Sequence, residues 1–152
     1  MLRLKPMKKK EYKKFTKKSM DKYAKEIYKS TLTLTKKDAR KIAKTQYKRM
    51  LKKGFKNPKY EFYALLNEKE KKIGELWLTK GEKRLYVSEL YIRKKYRHQG
   101  YGKATLDKVE KIAKKLKIKR IGLDVFYHNV IAKQLYSNEG YEVINEYRIK
   151  KI

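Results

Sequence analysis

The chain has 152 residues, 45 Lys+Arg against 16 Asp+Glu for a formal net charge of +29, 40% hydrophobic residues, no Cys and two His. That length and apolar share suit one core-forming domain over residues 1–152 and exclude a disordered basic tail. Without Cys there are no disulfides, thiolate metal sites or cysteine nucleophile, and His98 and His128 alone cannot build a structural zinc site, so no metal is expected.

The basic stretch Met1 to Lys10 is not followed by an apolar signal core, and the longest apolar run, Phe62 to Leu66, falls far short of a membrane span. A cytoplasmic protein without a membrane partner is the expectation. The charge is uneven: residues 1–60 hold 23 basic and 4 acidic side chains, residues 61–152 hold 22 and 12. Such asymmetry favours an anionic partner. Most of it is Lys scattered among acids and apolar residues, whereas dedicated nucleic-acid readers lean on Arg forks and clustered patches, so no specific nucleic acid is expected.

In chain order, Leu2 and Leu4 alternate with Arg3 and Lys5 before Pro6, a short first strand. Tyr12 and Phe15, then Tyr23, Ala24, Ile27 and Tyr28, recur at helical steps, with Ser19 placed to cap the second piece. Thr35-Lys36-Lys37-Asp38 is a near capping box, and Ala39, Ile42, Ala43, Gln46, Tyr47 and Met50 form one helix face before Gly54. After Asn57-Pro58 the pattern shortens to strands: Tyr60 to Asn67, Ile73 to Thr79 and Arg84 to Ile92, an antiparallel meander with turns at 68–72 and 80–82. From Gly100 the helical period returns, with Leu106, Val109, Ile112, Ala113 and Leu116 on one side and Asp107/Lys111 and Glu110/Lys114 as ion pairs. A strand Arg120 to Val125, a helix Asn129 to Asn138 closed by Gly140, and final strands around Tyr141 to Ile144 and Tyr147 to Ile152 complete an α/β (α+β) order β-α-α-β-β-β-α-β-α-β-β.

The chemistry concentrates where the Arg84–Ile92 strand runs through a basic turn into Arg97-His98-Gln99-Gly100-Tyr101-Gly102-Lys103 and the long helix starts. Two glycines let backbone N–H groups turn toward a phosphate, and a helix N-terminus adds unpaired donors and the positive dipole end. A Walker loop would need Gly at 97 and Ser or Thr at 104, where the chain has Arg97 and Ala104. A dinucleotide fingerprint would need Gly at 105, where it has Thr105. An ordinary glycine turn remains the plain alternative.

The pattern Arg97-x-x-Gly100-x-Gly102 resembles the pyrophosphate loop of the GCN5-related N-acetyltransferases. Its companions follow in order: strand Ile121 to Val125, then Asn129, Ala132, Leu135-Tyr136 and Gly140-Tyr141. The likeness is close over residues 84–144, departing at His98, where Gly is common, and at Tyr141, where Phe is common. It implies a mixed, mostly antiparallel sheet flanked by helices on both faces, and acetyl-coenzyme A in a cleft opened between strands 84–92 and 120–125. Backbone groups of Leu90, Tyr91 and Ile92 would pair with the pantetheine amides, and Arg97, His98, Gln99, Gly100, Tyr101, Gly102 and Lys103 would hold the pyrophosphate. Asn129 and Ala132 would complete the cofactor contacts, although Asn129 is equally a helix cap.

The resemblance implies direct acetyl transfer from acetyl-coenzyme A to a primary amine of a small molecule or peptide. Tyr136 would be the general acid, unless it simply packs in the core. Glu89 would be the base, partly buried among Val87, Leu90 and Ile92 and raised in pKa by that burial, although strand alternation leaves its face open. The aromatic helices around Tyr12, Phe15, Tyr23, Tyr28 and Tyr47 fall where the family builds its acceptor pocket. Like-charge repulsion favours a neutral or anionic amine-bearing acceptor over a polyamine. The fold also leaves room for a homodimer through the C-terminal strands, and for a rival reading as an acyl-coenzyme A sensor or a basic nucleic-acid or ribosome-binding module.

Overall fold

The computed structural model describes residues 1–152, which form two compact units, one of Met1–Lys9 with Pro58–Asp124 and one of Lys10–Asn57 with Val125–Ile152. The first unit is a five-stranded sheet in sequence order: β1 (Arg3–Pro6), β2 (Tyr60–Leu66), β3 (Lys72–Lys80), β4 (Leu85–Ile92) and β5 (Ile121–Leu123). The first four strands pair antiparallel and β5 joins β4 in parallel. The β2–β3 turn forms because the Asn67 side-chain carbonyl accepts from the amides of Lys69 at 3.1 Å and Lys71 at 3.0 Å, an Asx-type turn.

Alternation sends Leu76 and Leu78 of β3, with Leu85 and Val87 of β4, to one face of the sheet. They pack there with Leu65, Ile73 and with Val109 and Ala113 of helix α3 (Tyr101–Lys115). The 3.6-residue spacing of Leu106, Val109 and Ala113 turns one stripe of α3 inward. Its outer face carries the pairs Lys103–Asp107 at 3.5 Å and Glu110–Lys114 at 3.6 Å. Asp107 therefore reaches back to Lys103, not forward to Lys111.

The second unit contains α1 (Lys9–Ser30), α2 (Lys36–Met50) and α4 (Val130–Asn138). Its first helix is continuous where two pieces were expected. No Gly or Pro interrupts it, and Ser19 lies buried in its interior with its hydroxyl 2.6 Å from the Tyr47 hydroxyl of α2, a contact between helices in place of a cap. Fully buried Ala39 and Ala43 let α2 approach Ile27 of α1 closely. The capping box forms as expected: Thr35 Oγ1 accepts from the Asp38 amide at 3.1 Å while Asp38 accepts from the Thr35 amide at 3.2 Å. The Thr35 hydroxyl, donating to the Asp38 carboxylate at 2.6 Å, and then the Thr35 amide hold that carboxyl below its ordinary pKa.

Residues 141–152 form no strand, which corrects the two final strands expected from sequence. Tyr141, Val143, Tyr147 and Ile149 do fall on a two-residue period, but the sheet consists of β1 to β5 alone and no strand pairs with this segment, so the pattern finds no ladder to join. Val143, Ile144 and Tyr147 stay 86%, 89% and 87% exposed. From β1 through α4 the order of elements is the expected one, and the mixed, mostly antiparallel sheet is the expected class.

Candidate functional site

The first group of candidate residues lies along β4. Over residues 85–87 this strand has β3 on one side and β5 on the other, but β5 ends at Leu123, and from Ser88 to Ile92 the strand ladder continues on the β3 side alone. The last tie between the parting strands is a hydrogen bond from the Tyr86 phenol to the Asp124 carboxylate. Burial, then this bond, push the phenol well above the usual tyrosine range. Leu90, Tyr91 and Ile92 occupy the stretch where no strand lies alongside on the β5 side, which is the arrangement an extended, amide-bearing ligand needs to add itself to a sheet.

Glycine at 74 makes that stretch what it is. A Cβ there would stand 2.1 Å from the Tyr91 carbonyl oxygen, so only glycine lets β3 approach β4 at this point. Gly74→Ala is expected to destabilise the fold by about 1–3 kcal/mol and to weaken acetyl-coenzyme A binding. Urea unfolding with and without ligand measures both, and an unchanged midpoint would refute the steric argument.

A β-bulge decides where Glu89 goes. The register pairs Leu78 with Val87 and Trp77 with Glu89, so Ser88 is the extra residue, its hydroxyl 2.6 Å from that of Thr79. One additional residue reverses the alternation. Glu89 consequently shares the sheet face of Trp77 and Tyr91, not the face of Val87, Leu90 and Ile92. This corrects the surroundings expected for it. It is half-buried there.

The turn after β4 is built from a single 3-10 turn, Lys94–Tyr96, followed by two residues with left-handed backbone, His98 at φ 60° and Gly100 at φ 79°. The first intrahelical bond of α3 runs from the Ala104 amide to the Gly100 carbonyl at 3.0 Å, so Tyr101, Gly102 and Lys103 form the first turn, whose amides have no carbonyl acceptor within the helix. No heavy atom stands within 4 Å of where a Gly100 Cβ would be. Arg97 turns inward: its Nε donates to the Ile92 carbonyl at 2.9 Å and its guanidinium lies 5.6 Å from the centre of the Tyr91 ring. The Gln99 amide donates to the Lys95 carbonyl at 3.1 Å. These two side chains brace the loop, whose backbone amides lie at the start of α3.

The second group lies on α4, in the other unit. Asn129 caps this helix, its Oδ1 accepting from the Ala132 amide at 3.3 Å. Ala132 and Tyr136 follow one turn apart on one helix face. The Tyr136 ring lies 5.7 Å from that of Tyr141, and burial pushes its phenol above the ordinary value. His128 pairs with Glu26 of α1 and stacks on Phe126. Of the aromatic side chains on α1 and α2, Tyr12, Phe15 and Tyr47 are core, and Tyr23 is half-buried, donating to Gln46 Oε1 at 2.7 Å. No group of three or more His, Asp or Glu side chains comes together as a metal site, and no helix is long and apolar enough to cross a membrane.

Sequence reasoning missed Gly74, Ser88 and the Tyr86–Asp124 tie. Gly74 sits inside the strand pattern Ile73 to Thr79 and carried the usual signal of a close backbone approach. The bulge and the tie depend on the partner strand, and one strand's sequence holds no trace of either.

Residues 22–141 match the family described as "Acetyltransferase (GNAT) family". The uncharacterized N-acetyltransferase YycN of Bacillus subtilis (strain 168) is 27% identical over 154 residues, covering 98% of this chain and 97% of its own. The crystal structure of that putative acetyltransferase superposes with a TM-score of 0.92 at 24% identity, covering 100% of this chain and 99% of the other. AAC(6')-Iy, in complex with the bisubstrate analogue CoA-S-monomethyl-acetylneamine, shares the fold at a TM-score of 0.60 and 9% identity, over 100% of this chain and 98% of its own.

Proposed function

The chain belongs to the acetyltransferase (GNAT) family, and from that premise we propose that it is an N-acetyltransferase that moves the acetyl group of acetyl-coenzyme A directly onto a primary amine of a small molecule or peptide. The observation that carries this reading is the parting of β4 from β5 immediately before a glycine turn that opens α3. An extended thioester ligand needs a strand edge for its amides and, one turn further on, an anion site for its pyrophosphate. That a fold neighbour binds a coenzyme A bisubstrate analogue supports a ternary complex. The family match runs through both compact units, which supports reading them as one acetyltransferase domain.

In this reading backbone groups of Leu90, Tyr91 and Ile92 pair with the pantetheine amides. The backbone of Arg97 to Lys103 holds the pyrophosphate, and Asn129 and Ala132 add contacts at the start of α4. The neutral amine nitrogen attacks the thioester carbonyl carbon, and the C–S bond breaks. Tyr136 gives its phenolic proton to the departing thiolate, and Glu89, directly or through water, takes the proton that the amine loses. Burial supports the first role by keeping the phenol protonated at neutral pH. Its half-buried place on β4, at the bulge where the strands part, supports the second.

Thiol release from acetyl-coenzyme A, measured across neutral and anionic primary amines with a polyamine for comparison, tests the activity. Amine-dependent release supports the reading; saturable acetyl-coenzyme A binding with no turnover on any amine removes it in favour of a sensor. Glu89→Gln is expected to lower kcat/KM about 10²-fold at neutral pH, with the deficit shrinking as rising pH deprotonates the amine in solution. A constant deficit at every pH would take the base role away from Glu89.

A further inference from the structure

We propose that the exposed face of α2, with the adjoining lysines of α1, is a docking surface for the phosphate backbone of nucleic acid, distinct from the acetyl-transfer residues and indifferent to sequence. Residues 10–57 carry 18 basic and 4 acidic side chains. The acids are already engaged. Asp38 closes the capping box, Asp21 pairs with Arg40 at 3.5 Å, and Glu26 pairs with Lys29 at 3.5 Å and with His128. Glu11 has a partner as well.

On α2 the exposed Lys37, Lys41, Lys44 and Lys48 follow one another at steps of four, three and four residues, a single row along one side of the helix. Rises of about 5–6 Å between neighbours match the spacing of successive phosphates in an extended strand. Beside this row an open groove of about 340 Å³ is lined by Lys41, Ile42, Thr45, Gln46 and Arg49. The Tyr23 phenol occupies the Gln46 side-chain carbonyl at 2.7 Å, which leaves the amide NH2 to donate. Ammonium, hydroxyl, amide NH2 and guanidinium can each donate to a phosphate oxygen, and no carboxylate lines the groove.

A lysine-rich composition alone does not explain this surface. Across the same number of residues α3 has 5 basic and 2 acidic side chains, set as two ion pairs four residues apart. The α2 helix has 7 basic and 1 acidic, with like charges four apart that work against the helix. The choice of nucleic acid over a lipid surface follows from the side chains between the cations: the row holds no exposed large apolar residue to enter a bilayer until Met50 at its end. The row itself is made of lysine point charges with no exposed aromatic side chain between them, which grip phosphate and read no bases.

The test is fluorescence anisotropy of the full chain with a labelled mixed-sequence single-stranded RNA 20-mer between 50 and 200 mM salt. Two charge-matched variants are compared: K37Q/K41Q/K44Q/K48Q on α2, and K69Q/K71Q/K83Q/K119Q in the sheet unit. Lys→Gln barely alters helix propensity, and circular dichroism melting checks that both fold. Four lost phosphate contacts should weaken binding at least about 10²-fold at 100 mM salt and flatten the log–log salt slope by about 3. The sheet-unit variant should stay within about 3-fold of the unsubstituted chain. Equal weakening by the two variants would mean that bulk charge is responsible and would overturn the proposal. So would an unaffected α2 variant, or anionic phosphatidylserine vesicles that bind as tightly with the same sensitivity to the α2 changes.

Discussion

Tyr136→Phe is expected to lower kcat about 10²- to 10⁴-fold while leaving the stabilisation by acetyl-coenzyme A intact. The substitution removes one hydroxyl and keeps the ring, so the contact with the Tyr141 ring at 5.7 Å survives and the helix is undisturbed. What disappears is the proposed proton donor for the thiolate, whose departure must then be met by water. The sign of the pH dependence follows from burial, which raises the phenol above its ordinary value. A group so raised stays protonated through neutral and mildly alkaline pH, so kcat should show no fall attributable to Tyr136 across that range. Were the residue only packing against Tyr141, the Phe variant would turn over at the parent rate.

Gly100→Val is expected to abolish the thermal shift given by acetyl-coenzyme A. In the parent, ligand at 100 times its Kd should add about 2.7 kcal/mol, or about 5–10 °C for a chain of this size. Two effects act together in the variant. The φ of 79° is a left-handed conformation that a β-branched side chain resists, at about 1–3 kcal/mol. The new side chain would also occupy open space at the loop, since beyond its chain neighbours no heavy atom lies within 4 Å of the added Cβ. Gly140→Val separates the two, because Gly140 has φ 80° with equally open surroundings and lies outside the loop. It should lose a similar amount of intrinsic stability yet retain the ligand shift. If acetyl-coenzyme A protects Gly100→Val as well as it protects the parent, the glycine turn does not hold the pyrophosphate.

The loop was legible because its demands are local. Arg97, Gly100 and Gly102 stand in consecutive sequence, a left-handed residue before a helix calls for glycine, and the strand before and helix after announce themselves by period. His98, which departs from the family's usual glycine, also has positive φ at 60°, so the preference at that position has a backbone cause. The capping box at Thr35 and Asp38 and the cap at Asn129 were readable for the same reason, since each is completed within four residues. Tertiary contacts overruled local signals at Ser19, whose hydroxyl turns to Tyr47 on another helix, and at Glu89, carried to the opposite sheet face by one bulged residue.

By itself, then, the sequence determined the order of elements from β1 through α4, the glycine turn before α3, and the identity of the titratable side chains, because periodicity, glycine and caps act over one or two turns of chain. Only the tertiary structure decided which face Glu89 occupies, where β4 leaves β5, why residue 74 is glycine, and that residues 141–152 lie outside the sheet. Each of those depends on the partner strand or neighbouring helix, whose position is set by packing between segments distant in sequence.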